Sequence, residues 1–175
     1  MIMEVLKIPE RRVPALVGVE GKTKKKVERM CNVKLTVSRE GEVELKGENA
    51  DVFFAIDVVK AIGRGFDPRN ALLLTKEDYQ FLLIDLKDYA ANDKAITRIK
   101  GRIIGERGKV KSEIEEATES KISVYGNTVG IISKMDTVGY AKEAIFMLIQ
   151  GARHSRVYGY LGGIRRRIMA DRLRS

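Results

Sequence analysis

One feature constrains this chain more than any other: a glycine pair and its surroundings occur twice. Gly18-Val19-Glu20-Gly21-Lys22 returns as Gly105-Glu106-Arg107-Gly108-Lys109, so Gly21 falls on Gly108, 87 positions later. At that offset Val27 meets Ile114, Leu35 meets Ile122, Val37 meets Val124 and Leu45 meets Ile132. A further shift of two residues aligns Ala55-Ile56 with Ala144-Ile145. A repeat that keeps its apolar positions while its surface diverges predicts two copies of one small fold.

Each copy has the same order of periodicities. Glu4–Ile8 is strand-like, and a short helical stretch follows Pro9 and ends near Val17. Lys24–Cys31 carries Val27, Met30 and Cys31 at helical spacing. Val33–Val37 and Val43–Lys46 alternate apolar and polar around a turn, as a hairpin does. Asn49 is the expected cap of a longer helix with Val52, Ala55, Ile56, Val59 and Ile62 inward, which Gly63 and Gly65 stop. In the second copy the strand is Phe81–Ile84, and a helix runs over 93–104. The next helix carries Val110, Ile114 and Ala117, with strands around 122–124 and 129–132. Asp136 or Thr137 starts the last helix. The expected fold is α/β (α+β), β-α-α-β-β-α twice, each with a three-stranded sheet. The expected boundaries are 1–65 for the first domain, 66–78 for a linker, 79–152 for the second domain and 153–175 for an Arg-rich tail. That tail holds a basic C-terminal helix from Ile164 to Leu173, after Gly162-Gly163.

Charge sits on the glycine motifs. Of the net +9, the last 23 residues hold +6, from seven Arg and one Asp. Lys22, Lys24, Lys25 and Lys26 follow the first glycine pair. Arg98, Lys100, Arg102, Arg107, Lys109 and Lys111 surround the second, opposed nearby only by Glu106. Clustered cations imply a polyanion, because each neutralised phosphate releases a condensed counterion. A solvated face of a Lys- and Glu-rich protein is the plainer reading, and the coincidence with the glycine pairs weighs against it.

A helix–GxxG–helix unit followed by a hairpin and a third helix resembles the type I KH domain, in both halves. Two copies, each preceded by an apolar residue and followed by Lys, say far more than one GxxG. The resemblance implies single-stranded RNA binding. Glycine lets the loop turn sharply and the RNA backbone come close. The helix after it points unpaired N–H groups and its positive end at the phosphates. Ile104, Ile122 and Val124 are expected under the bases, with Lys100, Arg102, Gly105, Glu106, Arg107, Gly108, Lys109, Lys111, Arg153 and Arg156 along the backbone path. The first loop encloses no cation, so Gly18, Val19, Glu20, Gly21, Lys22, Lys24 and Lys25 are assigned to auxiliary RNA or protein contact. Taken whole, the chain resembles the archaeal members of the partner-of-Nob family, through Gly101–Lys109 and the ending Leu148–Gly151 to Val157-Tyr158-Gly159. That resemblance implies a small-subunit ribosome biogenesis factor binding near the 3′ end of pre-rRNA and assisting a PIN-type maturation endonuclease.

Enzyme readings find little to build on. A P-loop ending at Gly21-Lys22-Thr23 would need Gly where Leu16 stands. One ending at Gly108-Lys109 would need Gly at Ile103 and a hydroxyl at Val110. His154 is the only His and Cys31 the only Cys, so neither a triad nor a cysteine-rich zinc site is available, and no metal or cofactor is expected. A metal-dependent nuclease working through acidic residues stays open as the least favoured alternative. A protein-interaction scaffold is the other, and salt dependence separates it from RNA binding. No secretory segment or membrane span is visible at the sequence level, so the expected location is cytoplasmic.

Overall fold

A computed structural model describes residues 1–175. The first copy runs β1 (Ile2–Lys7), α1 (Val13–Val17), α2 (Lys22–Cys31), β2 (Lys34–Val37), β3 (Glu42–Gly47), α3 (Asn49–Gly63) and α4 (Pro68–Ala71). The second runs β4 (Tyr79–Asp85), α5 (Asp93–Ile104), α6 (Lys109–Thr118), β5 (Lys121–Tyr125), β6 (Thr128–Lys134), α7 (Val138–Ile149) and α8 (His154–Arg174). The sheets are β1-β3-β2 and β4-β6-β5. The chain divides into two compact units, Met1–Phe81 and Leu82–Ser175.

Alternation decides which face of the first sheet the helices cover, whereas β6 of the second is buried on both faces from Val129 to Ser133. Leu35 pairs with Leu45 and Val37 with Val43, and Leu35, Val43 and Leu45 are almost wholly buried. Lys34 and Lys46 occupy the opposite face. In the second sheet Ile122 pairs with Ile131 and Val124 with Val129, joining the core that Ile103, Ile114, Ala141, Ile145 and Leu148 complete. Each fully buried aliphatic side chain contributes about 1.5–3 kcal/mol of transfer free energy, so these clusters hold the units together.

The equivalence of the copies differs from the sequence alignment after the hairpin. Val37 and Val43 enclose five residues, whereas Val124 and Val129 enclose four. Leu45 therefore corresponds to Ile131, not Ile132, and the offset drops to 86. It stays there through the third helix, where Ala55, Val58, Val59 and Ile62 match Ala141, Ala144, Ile145 and Leu148, all buried. The sequence match of Ala55-Ile56 to Ala144-Ile145 is out by three residues, because an amphipathic helix nearly repeats itself after three.

Other boundaries also move. Asn49 is the first residue of α3 and the extended Glu48 precedes it, so Asn49 is no cap. Gly65, at φ 95°, ends α3: it donates to Ile62 O, and Phe66 N donates to Ala61 O, the crossed pattern of a left-handed C-terminus. Gly63 lies inside the helix, where a Cβ would come within 2.6 Å of Ile8 Cγ2. The segment 66–78, expected as a linker, is folded into the first unit. Asp67 caps α4 through Arg69 N, and Phe66, Ala71, Leu72 and Leu74 are buried. Likewise α8 starts at His154 and runs through Gly162-Gly163. Val157, Leu161 and Ile164 form a buried stripe against α6 and α7, which outweighs about 1 kcal/mol of lost helix propensity per glycine.

Candidate nucleic-acid interface

Both glycine pairs form the same loop. Gly18 and Gly105 have φ/ψ of 73°/177° and 74°/175°, Glu20 and Arg107 both have 55°/27°, and Gly21 and Gly108 have 71°/14° and 75°/13°. The first glycine of each pair is fixed by its neighbours. A Cβ on Gly105 would lie 2.4 Å from Val110 Cγ2, and one on Gly18 would lie 2.3 Å from Thr23 Oγ1. The second glycine faces open space, so its left-handed φ is what calls for glycine. Glu20 and Arg107 hold a left-handed conformation at a cost of roughly 1–2 kcal/mol each. The same conformation recurs at Asn32 and Glu119, which close α2 and α6, so a positive φ repeated in both copies belongs to the shared fold.

The helices after the loops begin with the wrong charge for their own stability. No side chain caps α2 or α6, neither has an acidic residue in its first turn, and lysines stand there instead: Lys22, Lys24 and Lys25 in α2, Lys109 and Lys111 in α6. The positive end of a helix disfavours nearby cations by about 0.3–1 kcal/mol each. A bound anion reverses that sign. Glu106, Arg107 and Lys109 are exposed around the second loop, while Lys100 and Ile104 are half-buried.

A second duplicated feature joins each of these helices to its sheet. Lys111 Nζ pairs with Glu115 Oε1 at 3.1 Å, and Glu115 Oε2 accepts from Ile122 N at 3.0 Å. In the first unit Lys24 Nζ stands 3.5 Å from Glu28 Oε1, which accepts from Leu35 N at 2.8 Å. Each glutamate ties the helix after the loop to the neighbouring edge strand. The identical Lys-x-x-x-Glu spacing at the offset of 87 was the available signal.

Several expected contacts are committed elsewhere. Ile122 is 4% exposed and belongs to the core, so it offers no surface to a base; Val124 is half-buried. Arg102 Nη1 donates to Leu148 O at 2.6 Å and its Nη2 donates to Ala152 O, which directs the guanidinium at the end of α7. Arg153 precedes α8 and is exposed. Arg156 lines an open cavity between α7 and α8 with Glu143, Gln150 and Tyr160. Farther along α8, Arg165 pairs with Glu113 at 2.8 Å, and Arg172 pairs with Glu119. No group of three or more His, Cys, Asp or Glu side chains is placed to hold a metal ion, and no helix is long and apolar enough to cross a membrane.

Two β-α-α-β-β-α units, each with a GxxG loop between its first two helices, define a tandem type I KH protein. Residues 80–166 match the eukaryotic-type KH domain (KH-domain type I), and residues 3–61 match the KH domain. A KH domain-containing protein of Methanocaldococcus jannaschii is 43% identical over 97% of this chain and 77% of its own length. The pre-rRNA-processing protein PNO1 of Chaetomium thermophilum is 32% identical over 82% of this chain, which spans 57% of that protein. Dim2p of Pyrococcus horikoshii superposes with a TM-score of 0.87 at 38% identity, over 93% of this chain and 99% of that one. The same TM-score and identity are found for a complex of a/eIF2alpha, aDim2p and rRNA from that organism, over 94% of each chain. The chain belongs to the PNO1/Dim2 (partner-of-Nob) family of two-KH proteins.

Proposed function

We propose that this protein binds single-stranded RNA in the small-subunit pre-rRNA, near its 3′ end, and assists maturation there as a binding module in the cytoplasm rather than as an enzyme. The observation that carries the reading is the second loop. Its strained backbone leads into an uncapped helix whose first turn holds Lys109 and Lys111 where a carboxylate would be more stable. A phosphate on the Gly105–Gly108 backbone satisfies the N–H groups and Lys109 together, while Lys111 is already paired with Glu115. Ile104 and Val124, half-buried beside it, are the apolar surface left for bases. The relatives named for pre-rRNA processing, and the relative solved with rRNA, support the choice of RNA. A PIN-type endonuclease is the partner we assign to the processing step.

The first loop takes the auxiliary role. It offers Glu20 where the second offers Arg107, and Val19 is 78% exposed beside it, a side chain suited to a protein contact. The test compares the two loops. Changing both Glu106 and Arg107 to Asp should lower affinity for single-stranded RNA at least about tenfold, with little change in melting temperature. Changing Val19 and Glu20 to Asp should have a small effect on RNA. Normal RNA binding by the second-loop variant would overturn the reading.

A further inference from the structure

Helix α8 runs beside α6 in the same direction: Lys109 meets Tyr158, Glu113 meets Arg165 and Glu119 meets Arg172, in rising order along both helices. Parallel packing carries the first turns of α8 to the loop end of α6. There Lys109 Nζ lies 5.9 Å from the centroid of the Tyr158 ring, and the His154 ring lies 6.4 Å from it at 54°. Tyr158 is half-buried, packed on the core of the second unit, whereas Lys109 is exposed and directly follows Gly108. His154 Nε2 is buried and has no hydrogen-bond partner, although its ring belongs to this aromatic cluster. In the first unit the chain after Phe66 forms α4 and a tight turn over Leu72–Thr75, and Pro68–Thr75 contains no aromatic residue. The ring is thus an addition to the loop that bears the cations.

We infer that Tyr158 is a nucleotide-stacking platform joined to the second loop through Lys109. It rests on the reading that this loop holds an RNA backbone. A half-exposed cation–π contact is weaker than a charge-assisted contact to phosphate, so a phosphate at the loop draws Lys109 Nζ away from the ring. The base of the adjoining nucleotide then takes its place on the ring face. Every base has such a face, so the platform adds affinity without sequence preference. It lengthens the bound stretch by one nucleotide on the α8 side of the loop.

Three substitutions separate the ring from the fold. Tyr158→Leu keeps an apolar side chain against the core and removes the ring. Tyr158→Phe keeps the ring and removes the hydroxyl. Tyr158→Trp introduces the only Trp in a chain that has none, a reporter at the proposed contact. With a single-stranded oligoribonucleotide that the wild type binds, Tyr158→Leu should lose about tenfold in affinity and Tyr158→Phe should match the wild type. The Tyr158→Trp fluorescence should be quenched on saturation with RNA. Wild-type binding by Tyr158→Leu, with binding lost in the Glu106/Arg107 double variant, would remove the platform and leave the loop reading intact. Wild-type binding by both would remove the loop reading. Should Tyr158→Leu melt early, the tryptophan decides alone: unquenched fluorescence with RNA bound overturns the platform.

Discussion

Arg102 Nη1 donates to the Leu148 carbonyl at 2.6 Å, across 46 residues of chain, and so anchors the last turn of α7 to α5. The first unit makes the same connection: Arg12 Nε donates to Ile62 O at 2.8 Å and Nη2 to Phe66 O at 2.9 Å. Ile62 and Phe66 correspond to Leu148 and Ala152 at the offset of 86, whereas the two arginines stand 90 apart. The bond is conserved between the copies in space, not in alignment.

Arg102→Ala should therefore act on stability. Charge-assisted hydrogen bonds contribute about 1.5–3 kcal/mol each, and two carbonyls lose the guanidinium while Leu148 O keeps its bond from Gly151 N, so a loss of about 2–4 kcal/mol is expected in chemical denaturation. Lysine should restore only part of it, because an ammonium cannot reproduce the guanidinium fork. RNA affinity of the folded variant should stay at the wild-type value. A stable Arg102→Ala protein with weakened RNA binding would return this residue to the interface.

The two glycines of the second loop should differ in what alanine does. Gly105→Ala meets both the φ of 74° and the Val110 side chain and backbone, so unfolding should become easier by more than about 2 kcal/mol. Gly108→Ala meets only the φ of 75°, in open space, and should cost about 1–2 kcal/mol. Its methyl group would stand where the RNA backbone approaches, so binding should suffer more than folding. Paired melting and binding measurements on the two variants check this ordering.

Cys31 is 5% exposed, and burial, with a smaller contribution from the Asp51 charge, pushes its thiol from 9.0 up to about 11. A pKa raised by folding means the native state favours the neutral thiol. The stability this contributes is complete below pH 9.0 and is lost as pH rises toward about 11. Cys31→Ala should show a shallower alkaline decline of stability than the wild type over that window. The native thiol should also resist alkylation near neutral pH and react once the chain is unfolded.

Neighbouring arginines on α8 should separate cleanly. Arg165 is engaged by Glu113 and stands 3.8 Å from Glu116, while Arg166 is exposed and has no acidic partner. Arg165→Ala should leave the salt dependence of RNA binding unchanged. If Arg166 contacts a phosphate, as the tail's charge leads us to propose, Arg166→Ala should reduce the slope by roughly 0.7. Deleting residues 153–175 is a poorer test, since it strips Val157, Leu161 and Ile164 from the core and should cost ~5 kcal/mol of stability.

What the sequence determined by itself is local or periodic. Alternation over Val33–Val37, helical spacing through Val27 and Cys31, and glycine where φ is positive all act through near neighbours, so the element order and both GxxG loops were legible. The repeat added that the two halves share one fold. Tertiary structure decided the rest, because a charged side chain is defined by what packs beside it. Arg98, Arg102 and Lys109 look alike in the chain, yet Arg102 is spent on carbonyls 46 and 50 residues away, and Lys109 lies over Tyr158. Ile122 and Val124 share one face of a strand, but burial beneath the helices takes the first and leaves part of the second exposed. The register of α3 against α7 shows the same limit: helical periodicity tolerates a slip of three residues, and only side chains meeting across the core remove it.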